Sequence, residues 1–236
     1  MGERTLYYVN GSIPGWRVLF ALYHKQLVFT GRRLRIMGEH HETRSPEFLA
    51  INPRGVTPVL IDDGVVVNES YAILQYLEAR YADKSLVPTR DPHALARVLT
   101  RAYEAETFAA AYEPLEVLFN FKPQELERSH KMAVAEAVKA LAREVAWWEA
   151  RATEAAYIAG ETFTLADVAF YPTLAYMIRR GLVLTSAPNL EAYWRRIETM
   201  SAAVSARPEG WLTDVQRKPD LFTRAQLVVR LHERGE

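Results

Sequence analysis

The side chains able to do chemistry gather in the first third of the chain. Residues 52–70 read NPRGVTPVLIDDGVVVNES and end on an acid and a hydroxyl, Glu69 and Ser70. The spacing of Tyr71, Ile73, Leu74, Leu77 and Tyr81 predicts that a helix starts there and runs over residues 70–81. The first N–H groups of a helix have no partner inside it and carry partial positive charge, so this start is a receptor for a carboxylate. Just upstream, Asp63-Gly64 supplies a two-residue turn between two β-rich runs. Pro58 stands inside the first of those runs, where a missing N–H is tolerated only at an edge, at a strand start or in a cis turn. A second hydroxyl, Ser12, lies in Asn10-Gly11-Ser12-Ile13-Pro14, before a helix that runs to about residue 25. A hydroxyl that donates to a bound acid favours its charged form and lowers its pKa.

Several polar residues accompany these groups. Tyr7 and Tyr8 precede the Ser12 loop, His40, His41 and Arg44 share a polar stretch, and Arg54 follows Pro53. Paired histidines suggest a metal, but no third ligand is spaced nearby, so no metal is expected. The chain has no cysteine, which excludes disulfides, thiolate metal sites and a cysteine nucleophile. Lys plus Arg equals Asp plus Glu, 29 each, so no global charge favours nucleic acid or an anionic membrane as partner. The chain enters a strand pattern at Thr5 without a signal-peptide core, and no apolar run is long enough to span a bilayer. A soluble, cytoplasmic protein is expected.

The elements that must position these residues follow from pattern. At 236 residues with a hydrophobic fraction of 49%, the chain can bury two modest cores. A strand over 5–9, a helix from Pro14, a strand over 32–36, a short helix over 46–51, the hairpin and the helix over 70–81 give the order βαβαββα. Trp16, Leu19, Phe20 and Tyr23 recur at helical spacing and should face the sheet. Proline and polar residues around 84–92 mark a linker between a first domain, 1–83, and a second, 93–236. The second reads as all helical, with long helices over 93–121, which Pro114 should kink or divide, and over 124–153. Thr164 and Asp167 form a capping box, with Phe163 and Val168 as its hydrophobic staple, at the head of an apolar helix. Residues 188–206 read as one more helix, and a basic amphipathic end follows.

The proline, hairpin and acid-serine helix start together resemble the glutathione-binding half of the cytosolic glutathione transferases. The Gly-Ser-x-Pro-x-Trp-Arg run of residues 11–17 looks like the serine-bearing loop of the rho, theta and delta classes, with rho nearest. The resemblance covers nearly all of residues 5–206. It implies an α/β thioredoxin-like N-terminal domain and an all-α C-terminal domain, a homodimer, and glutathione conjugation to small electrophiles in detoxification. By it, Ser12 stabilises the glutathione thiolate, Thr57 before Pro58 pairs with the cysteinyl backbone, and Glu69-Ser70 hold the γ-glutamyl end. His40, His41 and Arg44 are alternatives for the glycine carboxylate, with Arg54 near the same end. Glu104 corresponds to an acid that reaches across the dimer, while Tyr112 and Trp211 are set down for the second substrate.

This chain also departs from its relatives. Gly15 stands where several have cysteine, which removes omega-type thiol–disulfide chemistry and the Ser-Ser-Cys pattern of the zeta isomerases. Tyr7 or Tyr8 is the alternative to Ser12, since alpha, mu and pi classes use a strand-one tyrosine; the spacing back from Arg17 favours Ser12. Glutathione-dependent peroxide reduction or dehalogenation on the same site, and a non-catalytic interaction module, are the other readings.

Overall fold

The computed structural model describes residues 3–36, 41–212 and 220–234. The chain divides into two compact units, Met1–Pro88 with Glu198–Trp211 and Thr89–Ile197 with Leu212–Glu236. In the first lie β1 (Arg4–Tyr8), α1 (Ile13–His24), β2 (Thr30–Arg33), α2 (Pro46–Ile51), β3 (Val59–Asp62), β4 (Val65–Asn68) and α3 (Ser70–Arg80). The second holds α4 (Pro92–Tyr112), α5 (Arg128–Glu154), α6 (Leu165–Arg179) and α7 (Pro188–Glu198), whose last residue marks the division. The chain then adds α8 (Ser201–Ala206) to the first unit and α9 (Leu221–Glu233) to the second.

In the first unit the sheet runs β2-β1-β3-β4, with β2 parallel to β1 and the other neighbours antiparallel. The order is the βαβαββα of a thioredoxin-like domain. Leu6, Val59 and Leu60 of the sheet are fully buried, as are Val18, Phe20 and Leu22 of α1 and Ile73 and Leu77 of α3. Each such side chain contributes roughly 1.5–3 kcal/mol. Tyr23 does not join them. It is 38% exposed and sets its ring edge-on to Phe29, 5.4 Å away, because it falls at the solvent margin of the α1 stripe. Polar groups close the far end of the unit: buried Asp62 accepts from the Tyr81 hydroxyl at 2.6 Å and pairs with Arg4 at 3.2 Å. Lys25 pairs with Glu78 at 2.8 Å and donates to the Tyr81 carbonyl, fastening the end of α1 to the exit from α3. Small Ala202, Ala203 and Ala206 let α8 pack against α1.

β2 is displaced from the expected 32–36. All four of its residues are exposed and two are arginines, so no apolar alternation marks it; the parallel ladder with β1, Thr5 opposite Thr30 to Tyr8 opposite Arg33, decides where it lies.

The second unit is helical. α4 ends at Tyr112 and a 3-10 segment, Glu113–Phe119, follows with a proline in its first turn, so Pro114 divides the long helix. α5 starts at Arg128 rather than 124, after a separate 3-10 turn at Pro123–Glu125. α6 is buried nearly all round, with Phe170 stacked on Trp148 at 3.9 Å. Its capping box is formed: the Asp167 carboxylate, fully buried, accepts from Thr164 N–H at 2.7 Å and from Ile158 N–H at 3.0 Å. The helix expected over 188–206 is two, because Met200 adopts an extended conformation and caps α8. Among the described residues no helix is long and apolar enough to cross a membrane.

Candidate functional site

The ladder registers bring the sequence-distant groups to one edge of the sheet. Tyr7 of β1 lies opposite Val59 of β3, Val59 opposite Asn68 of β4, and Tyr8 opposite Arg33 of β2. The segments that adjoin those residues therefore converge: the loop from Val9 to Ser12, the stretch after Arg33, the Thr57-Pro58 pair before β3, and Glu69-Ser70 after β4. This is the edge where open sheets with parallel strands bind ligands, outside the strands' carboxyl ends.

Ser12 occupies the N-cap position of α1. Its N–H donates to Val9 O at 3.2 Å and its carbonyl accepts from Trp16 N–H at 2.8 Å, but its hydroxyl makes no capping bond. A serine at this position commonly spends its oxygen on the helix. Here the hydroxyl is left for another partner, beside the positive end of α1. The two tyrosines, on opposite faces of β1, are engaged in packing: the Tyr7 ring lies 5.8 Å from Phe48, and Tyr8 lies over Gly31, where an added Cβ would come within 3.3 Å of its ring. Burial pushes the Tyr8 phenol up, against the pull of Arg33, so it stays protonated.

Thr57-Pro58 is a cis peptide, with Pro58 buried and Thr57 half-buried. The loop before it is shaped by buried Asn52, whose amide donates to Val56 O at 2.8 Å and whose oxygen accepts from Arg54 N–H at 3.2 Å. Gly55, at φ +63°, is required: a Cβ there would stand 2.8 Å from the Thr43 carbonyl and 2.7 Å from Arg44 Nη1. Through this close approach Arg44 donates to Arg54 O at 3.4 Å, and Arg54 in turn pairs with Glu69 at 3.5 Å. His41 is exposed and begins the 3-10 turn that carries Arg44, whose N–H bonds to His41 O at 2.7 Å. His40 lies outside the described residues.

Glu69 has φ +67° and ψ 125°, a conformation that non-glycine residues rarely adopt and that clusters at ligand sites. Its carbonyl still accepts the first bond of α3, from Ile73 N–H at 2.9 Å, while its side chain makes no capping bond. Ser70 then opens α3, 7% exposed, at the positive end of the helix.

Two further residues are ones that sequence reasoning misses. The Asn68 carboxamide oxygen is buried and accepts no hydrogen bond, and it directly precedes Glu69. Arg17 is 2% exposed with its guanidinium 5.0 Å from the centre of the Tyr71 ring, which ties α1 to α3 beneath both helix starts. Its place in the Trp16-Arg17 pair is the one signal the sequence offers.

The remaining expected residues have partners of their own. Glu104 pairs with Arg101 at 2.7 Å, and Arg101 lies over Trp147. Tyr112 is 3% exposed, edge-on to Tyr176 at 5.6 Å and near Phe222, and burial pushes its phenol far up. Trp211 meets Trp16 edge-on, ring centres 4.8 Å apart. Among the described residues, no three His, Asp or Glu side chains are grouped to hold a metal ion.

Known proteins are similar to this chain in sequence and in fold. Residues 6–85 match the family model of the glutathione S-transferase N-terminal domain, and 131–196 that of the glutathione S-transferase C-terminal domain. The chain is 33% identical over 218 residues to glutathione S-transferase A of Pleuronectes platessa, covering 91% of this chain and 95% of that protein. Its structure is similar to a glutathione S-transferase from the Antarctic clam Laternula elliptica, with TM-score 0.84, 28% identity and coverage of 94% and 99%. A glutathione transferase homologue from Sulfitobacter with bound glutathione matches at TM-score 0.73 and 25% identity, covering 87% of this chain and 97% of that one.

Proposed function

The chain belongs to the cytosolic glutathione transferase family, and we propose that it conjugates glutathione to small electrophiles with Ser12 as the group that holds the thiolate. One observation carries the role of Ser12: its hydroxyl makes no capping bond, at the start of α1, on the sheet edge shared by cis-Pro58 and the start of α3. Donation from that hydroxyl, with the helix dipole behind it, favours the glutathione thiolate over the thiol. The sulfur then attacks an electrophilic carbon; an S–C bond forms and a leaving group departs with its electron pair.

In this reading the backbone of Thr57, kept in place by cis-Pro58, pairs with the cysteinyl part of glutathione. The N–H groups at the start of α3, with Ser70, take the γ-glutamyl carboxylate, and Glu69 takes its ammonium. At the other end Arg44 and His41 are assigned to the glycine carboxylate, and Arg54 joins them on leaving its exposed pair with Glu69. We also assign a homodimer with Glu104 at the partner's ligand, Trp211 to a second-substrate position, a detoxifying role and a cytoplasmic location. The two relatives named above as glutathione S-transferases do not favour peroxidase, dehalogenase or non-catalytic readings.

The test is absorbance of the bound thiolate against pH at saturating glutathione, for Ser12→Ala, Tyr7→Phe and Tyr8→Phe. Ser12→Ala should raise the thiol pKa by about one unit or more, which is about 1.4 kcal/mol, and slow conjugation at neutral pH. A normal titration in the serine variant with a shift in a tyrosine variant would transfer the role to β1.

A further inference from the structure

Beside the Ser12 loop, wholly within the first unit, a cavity of about 270 Å³ is lined by Val9, Asn10, Arg33, Leu34, Arg35 and Ile36. It opens at the carboxyl ends of the two parallel strands: Val9 accepts the N–H of Ser12, and Leu34 N–H donates to Tyr8 O at 2.8 Å. Apolar Val9, Leu34 and Ile36 suit the body of a small organic molecule, and the charges among the lining residues are both positive.

The two arginines are differently engaged. Arg35 is closed off by Glu42, whose carboxylate accepts from the Arg35 guanidinium at 2.9 Å and from the Arg35 backbone N–H at 2.6 Å. Arg33 pairs through one nitrogen with the carboxylate of Glu209, and both partners are exposed, 47% and 79%. Glu209 is held there by its backbone and not by that pair: Asn10 donates to its carbonyl and accepts its N–H, each at 3.0 Å. Arg33 therefore already meets a carboxylate at the mouth of the cavity, in an exposed pair that holds weakly and can be exchanged.

Resting on the assignment of Ser12 as the thiolate-holding group, we propose that this cavity receives the electrophile and that Arg33 selects electrophiles bearing a carboxylate, with Glu209 as the internal competitor that such a substrate displaces. A guanidinium offers a planar fork of donors that matches a carboxylate, whereas a neutral substrate gains nothing from it. Removing Glu209's charge should then help anionic substrates, and removing Arg33's should hurt them.

The experiment measures kcat/KM, with glutathione saturating, for two aryl chlorides that each carry one nitro group and lose chloride to the thiolate but differ in charge: neutral chloronitrobenzamide and chloronitrobenzoate. Arg33→Gln should lower the value for the benzoate about tenfold, the loss of one charge-assisted contact, and leave the neutral compound within about twofold. Glu209→Gln, which keeps the backbone bonds to Asn10, should raise the benzoate value about threefold or more with little change for the neutral one. A benzoate-to-neutral ratio that neither variant moves overturns the proposal while leaving the transferase reading in place. A wild-type protein that binds glutathione by calorimetry yet conjugates neither compound overturns both.

Discussion

The Arg17 guanidinium lies over the face of Tyr71, 5.0 Å from its centre, so a cation of α1 rests on an aromatic in the first turn of α3. Both helices begin at the ligand edge of the sheet, and this contact fixes how their N-termini stand to each other. Arg17 is 2% exposed, and a charge so buried is tolerated only where its surroundings compensate it. A desolvated cation–π pair contributes on the order of 2 kcal/mol. A denaturant double-mutant cycle of Arg17→Met and Tyr71→Leu should give a coupling energy of about 1–2 kcal/mol, and Arg17→Lys should not restore it, because an ammonium lacks the planar face. Additive single effects would show that the two residues are merely neighbours.

Ser70 should matter to binding more than to folding. Its side chain sits in the first turn of α3, where a bound carboxylate gains hydrogen bonds to a positive helix end. Ser70→Ala should weaken glutathione binding by about 1.5–3 kcal/mol in calorimetry. The neighbouring Arg54–Glu69 pair is solvent-exposed at both ends, so Arg54→Ala should leave the melting temperature nearly unchanged. An unaltered glutathione affinity in Ser70→Ala would remove α3's start from the site.

How legible each element is in the sequence differs for physical reasons. Asp63-Gly64 and the spacing of Ile73, Leu74 and Leu77 are local signals, and the hairpin and α3 stand where they indicate. β2 carries no such signal. Its exposed Thr30–Arg33 acquires strand form from pairing with β1, so sequence pattern places it two residues late and gives no view of the cavity that Leu34 and Ile36 help to line. The break between α7 and α8 is similar: no glycine or proline interrupts residues 189–206, and the extended Met200 belongs to the passage from one unit to the other. The cis form at Pro58 is suggested by a proline within a strand pattern, while the orphaned oxygen of Asn68 and the burial of Arg17 depend on tertiary packing that single-sequence periodicity does not carry.

The buried carboxylate of Asp167 predicts an unusual dependence of stability on pH. Full burial pushes its pKa up from the ordinary carboxylate range to about 6, although N–H donors from Ile158 and Thr164 and the Thr164 hydroxyl hold it down against that trend. The unfolded carboxyl has its usual pKa of about 3.9, so between about pH 4 and pH 6 the folded state holds a proton that the unfolded state has released. Unfolding then releases a proton, and this group's contribution to stability falls as pH rises through that window, by up to roughly 3 kcal/mol, and is flat above it. Asp167→Asn carries no titrating group and should lose this component. Its amide would also set an NH2 against one of the two backbone donors, so it should be less stable than the wild type at pH 7 by about 1–3 kcal/mol, with the gap widening toward pH 4. Denaturant unfolding of both proteins at intervals from pH 4 to pH 7 measures the difference. A gap that narrows on acidification would mean that Asp167 is ionised across the whole range, its pKa held low by the capping box.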